Sequence, residues 1–179
     1  MGMKFASIHI IGNIDIDINQ VLQSQVNNKY PKWINCILDE NTFYYVLKTD
    51  HAISIYCEDF SFESINDEAL NILGEKQLEF ITVGFYEEEL LDITYFNDDT
   101  IKSRIVVGAG IKNYGFESTV IEIDDLIKRF KLDEEKLFLC YSNDLHQMCK
   151  NISNIISLPL YKTNYDIKKD KNAYVIRLD

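Results

Sequence analysis

Three segments in the middle of this 179-residue chain, 79–86, 90–96 and 101–107, constrain its fold more than any other feature. Each is rich in β-branched and aromatic residues, the composition that suits a pleated, half-buried surface. They are joined only by Glu87-Glu88-Glu89 and by Asn97-Asp98-Asp99-Thr100. Connections that short cannot carry a crossover, so the three strands are expected as antiparallel neighbours. In the last of them Ile101, Ser103, Ile105 and Val107 alternate with Lys102 and Arg104, as a half-buried strand requires.

Ahead of this meander, residues 3–11 read as a first strand, ended by Gly12 and Asn13. Residues 15–28 fit a helix, with Ile14, Ile18, Val21, Leu22 and Val26 approximating one apolar stripe. Asp15 or Asp17 supplies its N-terminal negative charge, and Asn27-Asn28 with Pro31 marks its exit. Residues 33–38 are a short extended piece or a loop entry. Residues 43–48 and 52–57 form two strands joined at Thr49-Asp50-His51. A helix is predicted over 64–73, with Ser64 and Asp67 as a capping-box-like start and Gly74 as its stop. With 79–86 added, the order of elements is βαββαβ, the ferredoxin-like arrangement.

Beyond the meander come a glycine-containing loop at 108–115, an extended piece at 120–123 and a helix over 124–130. Further helical stretches follow at 133–140 and 143–157. The second of these puts Leu145, Met148, Cys149, Ile152, Ile155 and Ile156 on one side. A polar, lysine-rich tail closes with a strand over 173–178. The expected class is α+β: a mostly antiparallel sheet with a ferredoxin-like start, an added meander and a C-terminal helical lobe. It is read as one domain over 1–179, with sub-lobes at 1–107 (sheet-rich) and 116–179 (helical, with the closing strand).

The net charge is −11, and it is unevenly spread. Residues 58–99 hold 13 acidic side chains and one basic one, Lys76, so the rest of the chain sums to about +1. A negative field repels phosphate backbones, which argues against nucleic acid, and it speeds encounter with a basic partner. No apolar run approaches a membrane span. The start Met1-Gly2-Met3-Lys4-Phe5-Ala6 matches neither a signal peptide nor a myristoylation site. Four cysteines, Cys36, Cys57, Cys140 and Cys149, form no C-x-x-C pair and sit among apolar or helical neighbours. A cytoplasmic setting with reduced thiols is expected.

No catalytic, cofactor or metal residue is assigned. Gly108-Ala109-Gly110 follows a strand, but a dinucleotide fingerprint needs its third glycine at the Asn113 position and a helix after it. It reads as a structural loop. Glu87, Glu88 and Glu89 splay from one turn rather than converge on an ion, and Asp98 and Asp99 belong to the turn at the other end. His146 and Cys149 share a helical face, yet no second ligand pair accompanies them and Cys149 lies on the apolar stripe. Ser103 and Ser142 sit in no nucleophile elbow. The abundant aromatics Phe43, Tyr44, Tyr45, Phe85, Tyr86, Tyr95 and Phe96 are flanked by acids and not by the basic residues of an RNA-binding sheet.

From His51 to Gly115 the pattern is a strand such as Ala52-Ile53-Ser54-Ile55-Tyr56, then an acidic linker and helix. The strand pair Phe80-Ile81-Thr82-Val83 and Leu90-Leu91-Asp92-Ile93 follows, split by an acidic turn, and a third strand runs into the aromatic-glycine loop Tyr114-Gly115. This resembles a group of uncharacterised bacterial proteins, in which a helix like 124–130 comes next. The resemblance covers roughly half the chain; it implies an architecture and a bacterial setting, and no site residues. The function expected from the residues is a non-enzymatic, acidic protein-interaction module, in one form an immunity or antitoxin-like protein that masks a basic enzyme. Glu87, Glu88, Glu89, Asp98 and Asp99 would pair with its lysines and arginines, with Tyr86 or Tyr95 as anchors. The alternatives are a small-molecule binder or enzyme with its site between the sheet and the C-terminal helices, and a structural subunit of a larger assembly.

Overall fold

A computed structural model describes residues 3–12, 15–29 and 43–177. In chain order the elements are β1 (Lys4–Ile11), α1 (Ile18–Lys29), β2 (Phe43–Lys48), β3 (Ala52–Cys57), α2 (Ile65–Leu73), β4 (Glu79–Tyr86), β5 (Leu90–Asn97) and β6 (Thr100–Val107). Then follow β7 (Val120–Glu122), α3 (Asp124–Phe130), α4 (Glu134–Phe138), α5 (Leu145–Ile156), α6 (Asn164–Lys168) and β8 (Ala173–Arg177). The extended piece expected at 33–38 falls outside the described residues.

The strands form one antiparallel sheet in the order β7-β6-β5-β4-β1-β3-β2-β8. Its centre, β4-β1-β3-β2, is the ferredoxin-like order. Each of α1 and α2 carries the chain over one intervening strand, so β1 and β3 interleave with β2 and β4. The meander extends one edge through β5, β6 and β7, and β8 extends the other by pairing with β2.

Alternation along the strands fills both faces. Ala6, Ile8 and Ile10 of β1, with Ile53, Ile55, Phe80 and Phe96, pack under α1 and α2. The opposite face, with Phe5, Ile81, Val83, Phe85, Leu91, Ile93 and Ile105, packs under Leu126, Leu137 and the α5 stripe of Leu145, Met148, Cys149, Ile152 and Ile156. The C-terminal helical region expected from the sequence is present, and its helices cover this second face of the sheet. Coverage from both sides explains why every residue of β1 after Lys4 is buried.

Several local expectations are corrected. α1 starts at Ile18, and the Asp17 carboxylate accepts from the Gln20 N–H at 3.1 Å, so the N-terminal acid is Asp17. The Ser64–Asp67 capping box does not form. The Ser64 hydroxyl instead donates to Glu68 at 2.8 Å, and Glu68 also accepts from the Ser61 N–H. α2 does end at Leu73 with Gly74 as its C-cap, but Gly74 is not left-handed: its φ is −56°, a 3-10 turn follows over Gly74–Lys76, and the left-handed residue is Gln77. In β6 the register against β5 shifts between Tyr95 and Phe96, so Lys102 is the extra residue of a bulge. That turns Ile101 outward, at 45% exposure, while Ser103 and Ile105 stay buried. The five-residue α6 was not expected; a full capping box between Thr163 and Asp166 holds it, and Ile167 anchors it on Leu47 and Tyr56.

Each face of the sheet also buries a polar cluster. Under the C-terminal helices His9 is fully enclosed, its Nε2 2.8 Å from the Ser7 hydroxyl and its Nδ1 2.8 Å from the Ser54 hydroxyl. Burial pushes its pKa down to about 3, so the ring is neutral. On the α2 face, Asp92 accepts from Thr94 at 2.7 Å, from Arg104 Nε at 3.2 Å and Nη2 at 2.5 Å, and from Asn66 at 3.4 Å. Asn66 is in turn held by Thr82.

Candidate functional site

The turn between β4 and β5 places the three expected glutamates at one corner of the sheet. Glu88 is exposed, and Glu87, whose N–H donates to the Met3 carbonyl, takes a left-handed φ of 32°. Gly108-Ala109-Gly110 lies directly on this turn: Ala109 N–H donates to the Glu88 carbonyl and Gly110 N–H to the Glu89 carbonyl, both at 3.0 Å. A side chain at Gly108 (φ +141°) would put its Cβ 2.2 Å from the Glu89 carbonyl oxygen, and one at Gly110 would meet the Glu89 carboxylate. Close approach to the neighbouring turn explains the glycines. The Ala109 and Gly110 amides are occupied by carbonyls, so they offer no phosphate cradle.

Behind this corner a cleft of about 900 Å³ opens between the end of the meander and the α4–α5 connection. Glu88 lines one side, Val107, Leu145 and Met148 form its apolar floor, and Tyr141 closes the far side. The Tyr141 hydroxyl is buried and has no hydrogen-bond partner among the described residues. The Phe138 ring meets the Tyr141 ring edge-on at 5.8 Å, and Phe138 and Leu139 are 62% and 81% exposed. Ile121, on the edge strand β7, adds 46% exposure at the same cleft.

The other expected site residues are dispersed. Asp98 and Asp99 are exposed and left-handed, forming the two-residue connection of the β5–β6 hairpin. They stand at the opposite end of β5 from Glu87–Glu89, about 23 Å away at the usual strand rise. The two acidic turns therefore cannot grip one small feature together. Tyr95 is withdrawn from any surface role: it is 4% exposed and its hydroxyl donates to Glu79 at 2.7 Å. Tyr86 is half-buried and stacks on Phe62 at 5.0 Å. Other acids of the 58–99 segment are neutralised by bases from elsewhere in the chain: Asp92 by Arg104, Glu79 by Arg129 and Glu58 by Lys168. Among the described residues no ion pair engages Glu87, Glu88 or Glu89.

The nucleophile constellation does not assemble. Cys149 is wholly buried in the apolar core, which pushes its thiol up to about 12. His146 directs Nδ1 to the Tyr161 hydroxyl at 2.6 Å and lies against the Phe85 ring. Cys140 is buried too, its thiol on the Lys136 carbonyl. No group of three metal-ligating side chains occurs among the described residues, and no helix among them is long and apolar enough to cross a membrane.

Sequence reasoning missed Tyr141, Phe138 and Leu139. Their only signal is the run Leu137-Phe138-Leu139-Cys140-Tyr141, which is more apolar than one buried helix face can absorb. No family model, curated protein or solved structure matches this chain.

Proposed function

We propose that this protein is a non-enzymatic interaction module that docks a basic protein partner at the cleft beside Glu88, in the cytoplasm. The observation that carries the reading is the coincidence of exposed Phe138, Leu139 and Ile121 with an apolar-floored cleft and a glutamate turn that no described base neutralises. An apolar anchor entering the cleft would supply affinity against Val107, Leu145 and Met148. Lysines or arginines around that anchor would meet Glu88 and its neighbours, and the net charge of −11 would speed their encounter. Asp98 and Asp99 act at long range in this reading, as part of the field and not of the contact. A basic enzyme held in immunity-like fashion is one partner with this chemistry.

The test is capture from the native host at low and high salt, with the wild type beside Glu88→Lys and Leu139→Asp, both exposed positions. One stoichiometric basic protein is expected, lost at high salt and lost with either variant. Recovery of the chain alone, or a partner that both variants retain, overturns the reading.

A further inference from the structure

A second pocket, of about 420 Å³, lies on the opposite face of the sheet, over β5 and β6 and beside the entrance to α2. Its size is in the range of small-molecule sites. The Asp92–Arg104 pair lines it together with the rings of Phe62, Tyr114 and Phe116, and Glu63 is at its mouth.

The chemistry of the pair narrows what fits. Both oxygens of Asp92 are occupied by Thr94, Asn66 and two nitrogens of Arg104, so the carboxylate has little left to offer. Arg104 is in a different position. A guanidinium carries five N–H donors. Asp92 engages those on Nε and Nη2, and the described residues provide no hydrogen bond to Nη1. The plane of the guanidinium is fixed from two sides, by Asp92 and by the Phe116 ring 4.8 Å away. Directional donors are thus held open at a mostly buried position, the side chain being 23% exposed.

The walls are fixed as well. Phe62 stacks on Tyr86 and meets Tyr114 edge-on at 5.8 Å. The Phe62 carbonyl passes so close to Gly84 that a Cβ there would lie 2.3 Å from it, which seats the loop before α2 directly on β4. Rigid aromatic walls favour a flat guest. Charge excludes some flat guests: Asp92 already balances Arg104, and Glu63 leaves the pocket slightly negative, so an anion gains nothing there.

We infer that this pocket is a binding site for a small, neutral, planar aromatic or heteroaromatic compound whose carbonyl or ring nitrogen accepts from Arg104. The site stands apart from the docking cleft, because the two lie on opposite faces of the sheet, and either can fail without the other.

The experiment is a titration of the full-length, nitrogen-15-labelled chain followed by amide chemical shifts, with three probes. Benzamide is flat and neutral and carries a carbonyl; benzoate keeps the shape but is anionic; cyclohexanecarboxamide keeps the amide but is not flat. Benzamide is expected to give saturable shifts confined to the strands and loops around Arg104, with the other two about tenfold weaker or more. Arg104→Lys keeps the charge opposite Asp92 but loses the planar fork, and is expected to weaken benzamide about tenfold. Tyr114→Ala, at a half-buried wall position, is expected to weaken it while the spectrum keeps its native dispersion. Absence of saturable benzamide shifts up to its solubility limit, shifts centred elsewhere, benzoate or cyclohexanecarboxamide binding as tightly as benzamide, or unchanged affinity in both variants overturns the inference.

Discussion

The two polar clusters buried against this sheet, Ser7–His9–Ser54 under the C-terminal helices and Asn66–Thr82–Asp92–Thr94–Arg104 beside α2, bury their polar atoms in opposite ways. The first is sealed: all three residues are wholly buried, and burial strips water from the charged ring so that it titrates only near pH 3. The second keeps full charges, and can do so because Arg104 gives two hydrogen bonds to Asp92 while retaining contact with solvent. A sealed neutral cluster has every atom committed to the fold. A charged one at the margin of the core has donors to spare, and it is the one that opens into a pocket.

That contrast can be broken most directly through pH. His9 stays neutral in the folded chain down to about pH 3, whereas the unfolded chain protonates it near 6.5. Its contribution to stability is complete above pH 6.5 and is lost progressively below it, on the order of 4 kcal/mol by about pH 3.5. Denaturant unfolding at a series of pH values should show this slope in the wild type. His9→Asn should flatten it by about 1.1 kcal/mol per pH unit on average between pH 6.5 and about 5, above most carboxylate titrations. Equal slopes in the two proteins would mean that the cluster is not sealed.

The charged cluster responds to a missing partner instead. Arg104→Met removes the cation opposite the buried Asp92 and is expected to cost about 3 kcal/mol at neutral pH, by the same unfolding assay. Adding Asp92→Leu should recover most of that loss. A cost under about 1 kcal/mol for the single variant would place the pair in solvent and erase its difference from a surface ion pair.

The smallest effect sharpens the comparison with a polar group that belongs to neither cluster. Tyr141→Phe removes a buried hydroxyl that has no described partner, so thermal unfolding should find it neutral or stabilising by up to about 1 kcal/mol. Tyr95→Phe, which removes the hydroxyl bonded to Glu79, should destabilise by a similar amount. If both tyrosines behave alike, the Tyr141 hydroxyl is already satisfied and the cleft loses its orphan donor.

Much of the framework was legible because its signals are local. The bounds of β2, β3, β4 and α3 coincide with the predicted segments, since alternation, turn residues and short loops act over a few neighbours. The failures are also physical. The α6 turn has one buried anchor, Ile167, and too little length for a period to emerge. The Lys102 bulge swaps the facing of Ile101, and no residue type announces it. Of the candidate site, the glutamate turn was visible as a run of charge. The cleft behind it was not, because its walls come from residues 107–109, 119–121 and 141–148, which only folding brings together.

The sequence by itself determined where the strands and most helices run, that the meander is antiparallel, and that one segment is heavily acidic. The tertiary structure alone decided that the C-terminal helices cover the second face, that Glu58, Glu79 and Asp92 are cancelled while Glu88 is left beside a cleft, that Tyr95 is inside, and that His9 is uncharged. The division follows from range. Backbone preference and hydrophobic alternation are set by neighbours in the chain, whereas charge pairing, burial and protonation are set by neighbours in space, such as Glu58 and Lys168, which lie 110 residues apart.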